Sequence, residues 1–166
     1  MILYLIGSLR NPKFVEIGNV LREAGYDVFE DWHAGGPEAD DEWQRYETQR
    51  GRSYKQALAG YHAAHVFHYD LHHLDRADVG VLIAPAGKSA HLELGYLIGR
   101  GKPGYMLFEQ DPERWDVMAL FSTQVCFSLQ ELIDALRTYK SGTGRQTVDQ
   151  PDIPERRTVD HAGWDS

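Results

Sequence analysis

The stretch DVGVLIAPAGKSAHLELGY, residues 78–96, decides the fold of this chain. Residues 78–84 form an apolar run of strand length, which predicts a buried strand. Residues 87–100 then predict a helix, which Gly87 or Ser89 can cap and which Gly101 and Pro103 end. The stretch therefore predicts a strand, a tight polar turn and a helix.

Glu93 is the residue of this stretch that points to chemistry. We expect it in the first turn of the predicted helix, where the positive end of the helix dipole favours an ionised carboxylate. A carboxylate that follows a buried strand lies at the edge where open α/β sheets bind ligands. The alternative is a glutamate that only stabilises the helix, and the pattern alone favours neither. We also expect Gly95 and Gly99 to let another backbone approach closely.

Composition limits the kind of protein and its partners. The chain has 166 residues, 42% of them hydrophobic and 25% charged, with a net charge of −8. These values predict one soluble domain without the broad basic surface that a nucleic acid polymer needs. Cys126 is the only cysteine, so an internal disulfide is impossible and a small core residue is expected. We expect a cytoplasmic protein with no membrane partner, because no apolar run is long enough to span a bilayer.

Apolar runs alternate with helical patterns along the chain. This alternation predicts a five-stranded parallel sheet covered by helices on both faces, with the strand order 2-1-3-4-5. That order places the loops after strands 1 and 3 side by side. The predicted strands are residues 2–6, 26–29, 78–84, 104–108 and 125–127, and the predicted helices are residues 14–24, 54–74 with a break near Gly60, 87–100 and 129–139. We expect residues 1–140 to form the folded domain and residues 141–166 to be a flexible tail.

Two regions leave alternatives open. Residues 31–52 predict an irregular loop or lid, in which Trp32, Trp43 and Tyr46 either stack on a planar ligand or fix the loop to the core. Histidines are dense between residues 62 and 73, and some pairs share a helix face. No cysteine or HExxH pattern accompanies them, so solvated or capping histidines are the favoured interpretation. We expect neither a metal nor a cofactor.

Three segments resemble the nucleoside 2-deoxyribosyltransferases and the related deoxynucleotide N-glycosidases. They are residues 4–10, residues 70–79, and residues 93–95 with 101–103. The likeness spans residues 1–139, and it implies a flavodoxin-like three-layer sandwich and cleavage of an N-glycosidic bond in a small nucleoside or nucleotide.

The resemblance also implies roles for individual residues. Glu93 would attack the anomeric carbon and hold a covalent glycosyl ester, and Asp70 would manage the proton on the base. Tyr4 would orient Glu93 or contact the sugar. A homo-oligomer with a shared active site is implied, because a segment of a neighbouring subunit often completes the site. The implied substrate-binding residues are Gly7, Ser8, Arg10, Lys88, Ser89, His91, Asp116 and Met118.

Two departures from the family pattern keep the reaction open. Gly87 replaces the acidic residue of the transferases, and Gly87 and Asp116 replace the phosphate-binding serines of the N-glycosidases. Arg10, Lys88 and Ser89 could bind a phosphate in another way. The expected function is transfer of a 2-deoxyribosyl group between bases. The alternatives are hydrolysis of a nucleoside 5′-monophosphate, cleavage of NAD as a distant third, and a non-catalytic nucleotide-binding module.

Overall fold

Five parallel strands form one sheet at the centre of the molecule. The computed structural model describes residues 1–142. The strand order is β2-β1-β3-β4-β5, and every neighbouring pair is parallel. This confirms the predicted flavodoxin-like α/β fold and its strand order. The strands are β1 (Ile2–Ile6), β2 (Asp27–Phe29), β3 (Val79–Ile83), β4 (Gly104–Leu107) and β5 (Gln124–Cys126).

Helices connect the strands and cover both faces of the sheet. They are α1 (Phe14–Glu23), α2 (Ala39–Gln49), α3 (Tyr54–Leu58), α4 (Tyr61–Arg76), α5 (Lys88–Gly99) and α6 (Leu129–Lys140), with 3-10 helices at Asp31–Gly35 and Val117–Phe121. The predicted break near Gly60 is confirmed, because Gly60 is the N-cap of α4. Ser128 caps α6 as expected, since its side chain accepts a hydrogen bond from the Glu131 backbone N–H.

The region from residue 31 to residue 52 is more regular than the sequence predicted. It contains a 3-10 helix and the eleven-residue helix α2. The prediction of an irregular loop was wrong there because α2 has no broad apolar stripe; Glu47 is its only buried residue. The helix instead carries three acids in its first turn, where the helix dipole favours negative charge.

Two hydrophobic clusters lie on opposite faces of the sheet. One contains Leu3 and Leu5 of β1 together with residues of α1 and α6. The other contains Tyr4 and Ile6 together with residues of α4 and α5. Side chains alternate between the two faces of a strand, so this pattern turns Tyr4 towards the face that α4 and α5 cover.

Close packing of α5 on the sheet depends on two strand glycines. A Cβ atom at Gly80 would lie 2.5 Å from the Leu97 side chain, and one at Gly104 would lie 2.8 Å from Leu94. The expectation that Gly95 and Gly99 permit close approach was wrong, because a Cβ atom at either would meet nothing within 4 Å. The approach is made by the strands, whose backbones α5 lies against.

Gly80→Ala should therefore destabilise the protein, by about 1–3 kcal/mol, because the added methyl group overpacks a filled core. Gly95→Ala is the matched control. It should stabilise the protein by roughly 0.5–1 kcal/mol, because alanine in an open helical position loses less backbone entropy than glycine. Denaturant unfolding of both variants measures the difference. Equal stabilities would show that the contact between β3 and α5 is not tight.

Three further expectations concern single features. Cys126 is fully buried in the core as predicted, and burial raises the pKa of its thiol to about 11. Within residues 1–142, no helix has the length and apolar character needed to cross a membrane. Residues 143–166 lie outside the described residues, so the predicted tail stays a prediction.

Candidate active site

Three polar side chains from three different elements interact where α4 and α5 pack against β1. They are Tyr4 of β1, Asp70 of α4 and Glu93 of α5. Burial, then the charges of Glu93 and Asp70, raise the pKa of the Tyr4 hydroxyl, and a side-chain hydrogen bond with Asp70 adds to the shift. The residues that the resemblance assigned to catalysis are thus brought together by the fold, although they are 23 or more positions apart in the sequence.

Glu93 lies in the second turn of α5, and the expected first-turn position was wrong. Helix α5 begins at Lys88 and has no acid in its first turn. Gly87 is the N-cap, with extended backbone angles (φ −80°, ψ −177°). The dipole effect falls off within the first turn, so it no longer dominates at Glu93. Burial, with a second contribution from the charge of Asp70, raises the pKa of Glu93 to about 7.

Asp70 carries a carboxylate oxygen that has no hydrogen-bond partner among residues 1–142. Its Oδ1 atom is buried and accepts no hydrogen bond from any residue in the described range 1–142. Burial raises the pKa of Asp70, and the hydrogen bond with Tyr4 opposes that shift. A buried polar atom without a partner is costly, so natural proteins rarely keep one without a use for it.

An aromatic stack behind the cluster fixes the position of α4 on the sheet. The Tyr4 ring lies 5.2 Å from that of Phe29, and Phe29 stacks on His73 with ring centroids 3.7 Å apart and an interplanar angle of 11°. His73 lies three positions after Asp70, so the two residues are neighbours on one face of α4. Sequence reasoning missed this role of Phe29 and His73. The spacing from Asp70 was the only signal for it.

The loop after β1 packs against the end of β3, as the strand order predicted. A Cβ atom at Gly7 would lie 2.5 Å from the Phe14 ring and 3.4 Å from the carbonyl oxygen of Ile83. The Ser8 hydroxyl accepts a hydrogen bond from the Arg10 backbone N–H at 3.2 Å. The Arg10 guanidinium forms an ion pair with Asp41 of α2, with a distance of 2.7 Å between Nη2 and Oδ2. Sequence reasoning did not identify Asp41.

The remaining predicted binding residues lie at two other places. Lys88, Ser89 and His91 are exposed at the start of α5, and His91 Nδ1 lies 2.8 Å from the Gly87 carbonyl oxygen. Asp116 caps the second 3-10 helix by accepting a hydrogen bond from the Met118 backbone N–H at 2.9 Å. Both residues are exposed between β4 and β5. Their roles in substrate binding stay predictions.

The aromatic residues of the region 31–52 differ from one another. Trp32 donates its indole N–H to the Leu5 carbonyl oxygen at 2.8 Å and packs against both hydrophobic clusters, so it fixes the chain to the sheet. Trp43 lies close to the rings of Tyr54 and His62, and its buried indole N–H has no partner within residues 1–142. Tyr46 is exposed beneath the Arg50 guanidinium.

The histidines of α4 lie mainly on its outer face. His65, His68 and His72 line a shallow groove of about 530 Å³ together with Tyr61, Ala64 and Tyr69. His68 Nδ1 lies 2.7 Å from the Ala64 carbonyl oxygen, within its own helix. Across the described part of the chain, no three His, Cys, Asp or Glu side chains are placed to hold a metal ion.

No protein-family model and no curated protein sequence matches this chain. Among solved structures, the 2-deoxyribosyltransferase of the psychrotolerant bacterium Bacillus psychrosaccharolyticus is similar, with a TM-score of 0.55. The two are 19% identical over 81% of this chain and 91% of that chain. This chain has the fold of a 2-deoxyribosyltransferase. The CMP N-glycosidase of Clostridium botulinum has a TM-score of 0.46 and 15% identity over 84% of this chain and 99% of that chain.

In this 2-deoxyribosyltransferase fold, the carboxyl groups of Asp70 and Glu93 lie close enough to repel each other when both are ionised. Over a range of pH such a pair shares one proton, so that one carboxyl group is protonated and the other is an ionised carboxylate. With such a pair, one carboxylate can attack a carbon atom while the other carboxyl group gives a proton to the same substrate.

Proposed function

We propose that the protein cleaves the N-glycosidic bond of a 2′-deoxynucleoside through a covalent glycosyl–Glu93 intermediate and transfers the sugar to another base. The observation that supports this most is the cluster of Tyr4, Asp70 and Glu93, in which both carboxyl groups have raised pKa values. Perturbed ionisable groups that face one cleft are typical of catalytic sites.

The reaction proceeds in two displacements. A Glu93 carboxylate oxygen attacks the anomeric carbon, the bond from that carbon to the base nitrogen breaks, and its electron pair leaves with the base. Asp70 gives its proton to the departing base. An incoming base then loses a proton to Asp70 and attacks the same carbon, which frees the Glu93 carboxylate. Sugar, bases and protons balance, and no cofactor is needed.

Tyr4 acts as a hydrogen-bond donor throughout. Burial and the nearby charges of Glu93 and Asp70 raise the pKa of its hydroxyl, so the hydroxyl keeps its proton at neutral pH. A neutral hydroxyl can donate to the Asp70 carboxylate while that group waits for a proton. Tyr4 therefore orients Asp70, and its rigid position on β1 holds the acid near the base.

The pH dependence of catalysis should report Glu93. Below its pKa of about 7 the carboxyl group is protonated and uncharged, which makes it a weak nucleophile. We therefore expect kcat/KM to rise with pH as Glu93 ionises and to fall again at higher pH, where Asp70 also loses the proton that the departing base needs. Initial rates measured from about pH 5 to about pH 9 test this. A profile without an acidic limb would contradict the nucleophile assignment.

Transfer and hydrolysis differ in what captures the glycosyl group. The experiment is to incubate a 2′-deoxynucleoside with and without a second free base and to separate the products by chromatography. We expect a new nucleoside that contains the second base. Free sugar released at one rate in both samples, with no new nucleoside, would favour the hydrolase alternative. No product in either sample, and none from a 5′-monophosphate, would favour a binding module.

We also propose that the protein is a homo-oligomer. The second 3-10 helix and its neighbours expose large apolar side chains in one segment, and such patches commonly mark protein interfaces. Their exposed fractions range from 60% to 86% for Trp115, Val117, Met118, Leu120 and Phe121. Light scattering after size-exclusion chromatography tests this by measuring the molar mass in solution. The wild-type mass should exceed that of one chain, and the mass of Leu120→Glu should be closer to that of a single chain.

A further inference from the structure

The loop after β1 carries two cations, and both are held by acids from other segments. Arg10 pairs with Asp41 at 2.7 Å, and Lys13 pairs with Glu109 at 2.8 Å. Asp41 belongs to α2, which follows β2, and Glu109 follows β4. The two acids therefore reach the loop from segments that follow strands on either side of β1.

These ion pairs contribute little to the stability of the fold. The side chains of Arg10 and Asp41 are 61% and 47% exposed, and exposed pairs are worth at most about 1 kcal/mol. The ion pairs change the local charge, because each acid neutralises the positive charge of Arg10 or Lys13 that would otherwise attract an anionic ligand. The surrounding segments add further negative charge. Residues 38–42 contain Glu38, Asp40, Asp41 and Glu42, and residues 109–116 contain Glu109, Asp111, Glu113 and Asp116.

We propose that Asp41 determines substrate specificity: by pairing with Arg10, it excludes substrates that carry a 5′-phosphate. A phosphate that reached Arg10 would lie beside the Asp41 carboxylate and would be repelled by it. An uncharged 5′-hydroxyl suffers no such repulsion. The site therefore takes a nucleoside in preference to its monophosphate. This inference rests on the proposed function only in that the ligand is a nucleoside.

Asp41→Asn tests the proposal, and Asp40→Asn is its matched control. The two variants remove the same charge from adjacent residues of α2, but only Asp41 pairs with Arg10. The ligands are a 2′-deoxynucleoside and its 5′-monophosphate, and calorimetry at low salt measures their binding to the full chain. Asp41→Asn should bind the monophosphate roughly tenfold more tightly than wild type does. Its affinity for the nucleoside should stay within about twofold of the wild-type value, because that ligand carries no charge.

A double variant, Arg10→Gln with Asp41→Asn, should lose the gain in affinity for the monophosphate, because it no longer has the Arg10 guanidinium that the phosphate would bind. Wild-type discrimination should also shrink when salt is raised from about 0.01 M to about 1 M. The proposal is overturned if wild type binds the monophosphate more tightly than the nucleoside, if Asp40→Asn has the same effect as Asp41→Asn, or if the double variant keeps the gain.

The binding assay separates failure of this proposal from failure of the proposed function. It requires no turnover, so a chain that shows the Asp41 effect but forms no product contradicts the transferase assignment alone. A chain that exchanges bases but shows no Asp41 effect contradicts this inference alone. Thermal melting of each variant confirms that the affinities belong to folded protein.

Discussion

Glu93→Gln and Glu93→Ala should lower turnover by on the order of 10⁶-fold, the loss that follows removal of a covalent nucleophile elsewhere. The physical reason is that neither side chain can form the glycosyl ester. Single-turnover assays with a 2′-deoxynucleoside measure the loss. Glu23→Gln is the control, because Glu23 is exposed at the end of α1. Near-normal activity in either Glu93 variant would contradict the mechanism.

Glu93→Gln should also be more stable than wild type at alkaline pH, which separates loss of chemistry from loss of folding. The folded-state pKa of about 7 lies above the ordinary value of 4.5, so ionising Glu93 favours unfolding. The wild type therefore loses stability as pH rises from about 4.5 to about 7 and does not regain it above. We expect Glu93→Gln to exceed wild type by roughly 1–3 kcal/mol at about pH 8, with the difference vanishing near pH 4.

Asp70→Asn should lower turnover of an ordinary deoxynucleoside by roughly 10²–10⁴-fold, the usual contribution of a positioned general acid. A substrate with a good leaving group should be partly rescued, because its base needs little protonation. Glu93→Gln should show no such rescue. The measurement is the ratio of rates for the two substrates in each variant. Equal losses for both substrates in Asp70→Asn would show that Asp70 is not the general acid.

Removing the charge of Asp70 should also shift the pH profile. That charge helps to raise the pKa of Glu93, so Asp70→Asn should move the acidic limb of kcat/KM to lower pH. Asp75→Asn is the matched control on the same helix. The Asp75 carboxylate accepts a hydrogen bond from the Tyr96 hydroxyl at 2.7 Å, so it is engaged in a contact between α4 and α5. An acidic limb that stays near pH 7 in Asp70→Asn would contradict the coupling.

The sequence predicted the sheet well because local patterns determine it. Each strand is a short apolar run, and alternation with helices leads to the strand order 2-1-3-4-5 that the structure shows. Helix α2 was missed because its stability comes from terminal charges and one buried glutamate, and no apolar periodicity accompanies them. The sequence analysis assigned the close approach of α5 to Gly95 and Gly99, but Gly80 and Gly104 of the strands make it possible. The sequence of α5 alone does not show whether the helix or the strand provides the small residues of the contact.

The candidate site was only partly predictable from the chain itself. Glu93 stood out because of its position after a buried strand. The resemblance gave Asp70 and Tyr4 their roles beside Glu93, since nothing local connects residues on β1, α4 and α5. The direction of the Glu93 pKa shift was missed, because burial depends on the packed helices around it. The Arg10–Asp41 pair was missed for the same reason: the two residues are 31 positions apart.

The covalent intermediate is the central claim, and mass spectrometry tests it most directly. The protein is mixed with a 2′-deoxynucleoside in the absence of a second base, quenched rapidly in acid and digested for peptide mapping. We predict a deoxyribosyl adduct on the peptide that contains Glu93, lost when a free base is added before the quench and absent from Glu93→Gln. Turnover without any adduct, or an adduct on Asp70 that persists in Glu93→Gln, would contradict the account.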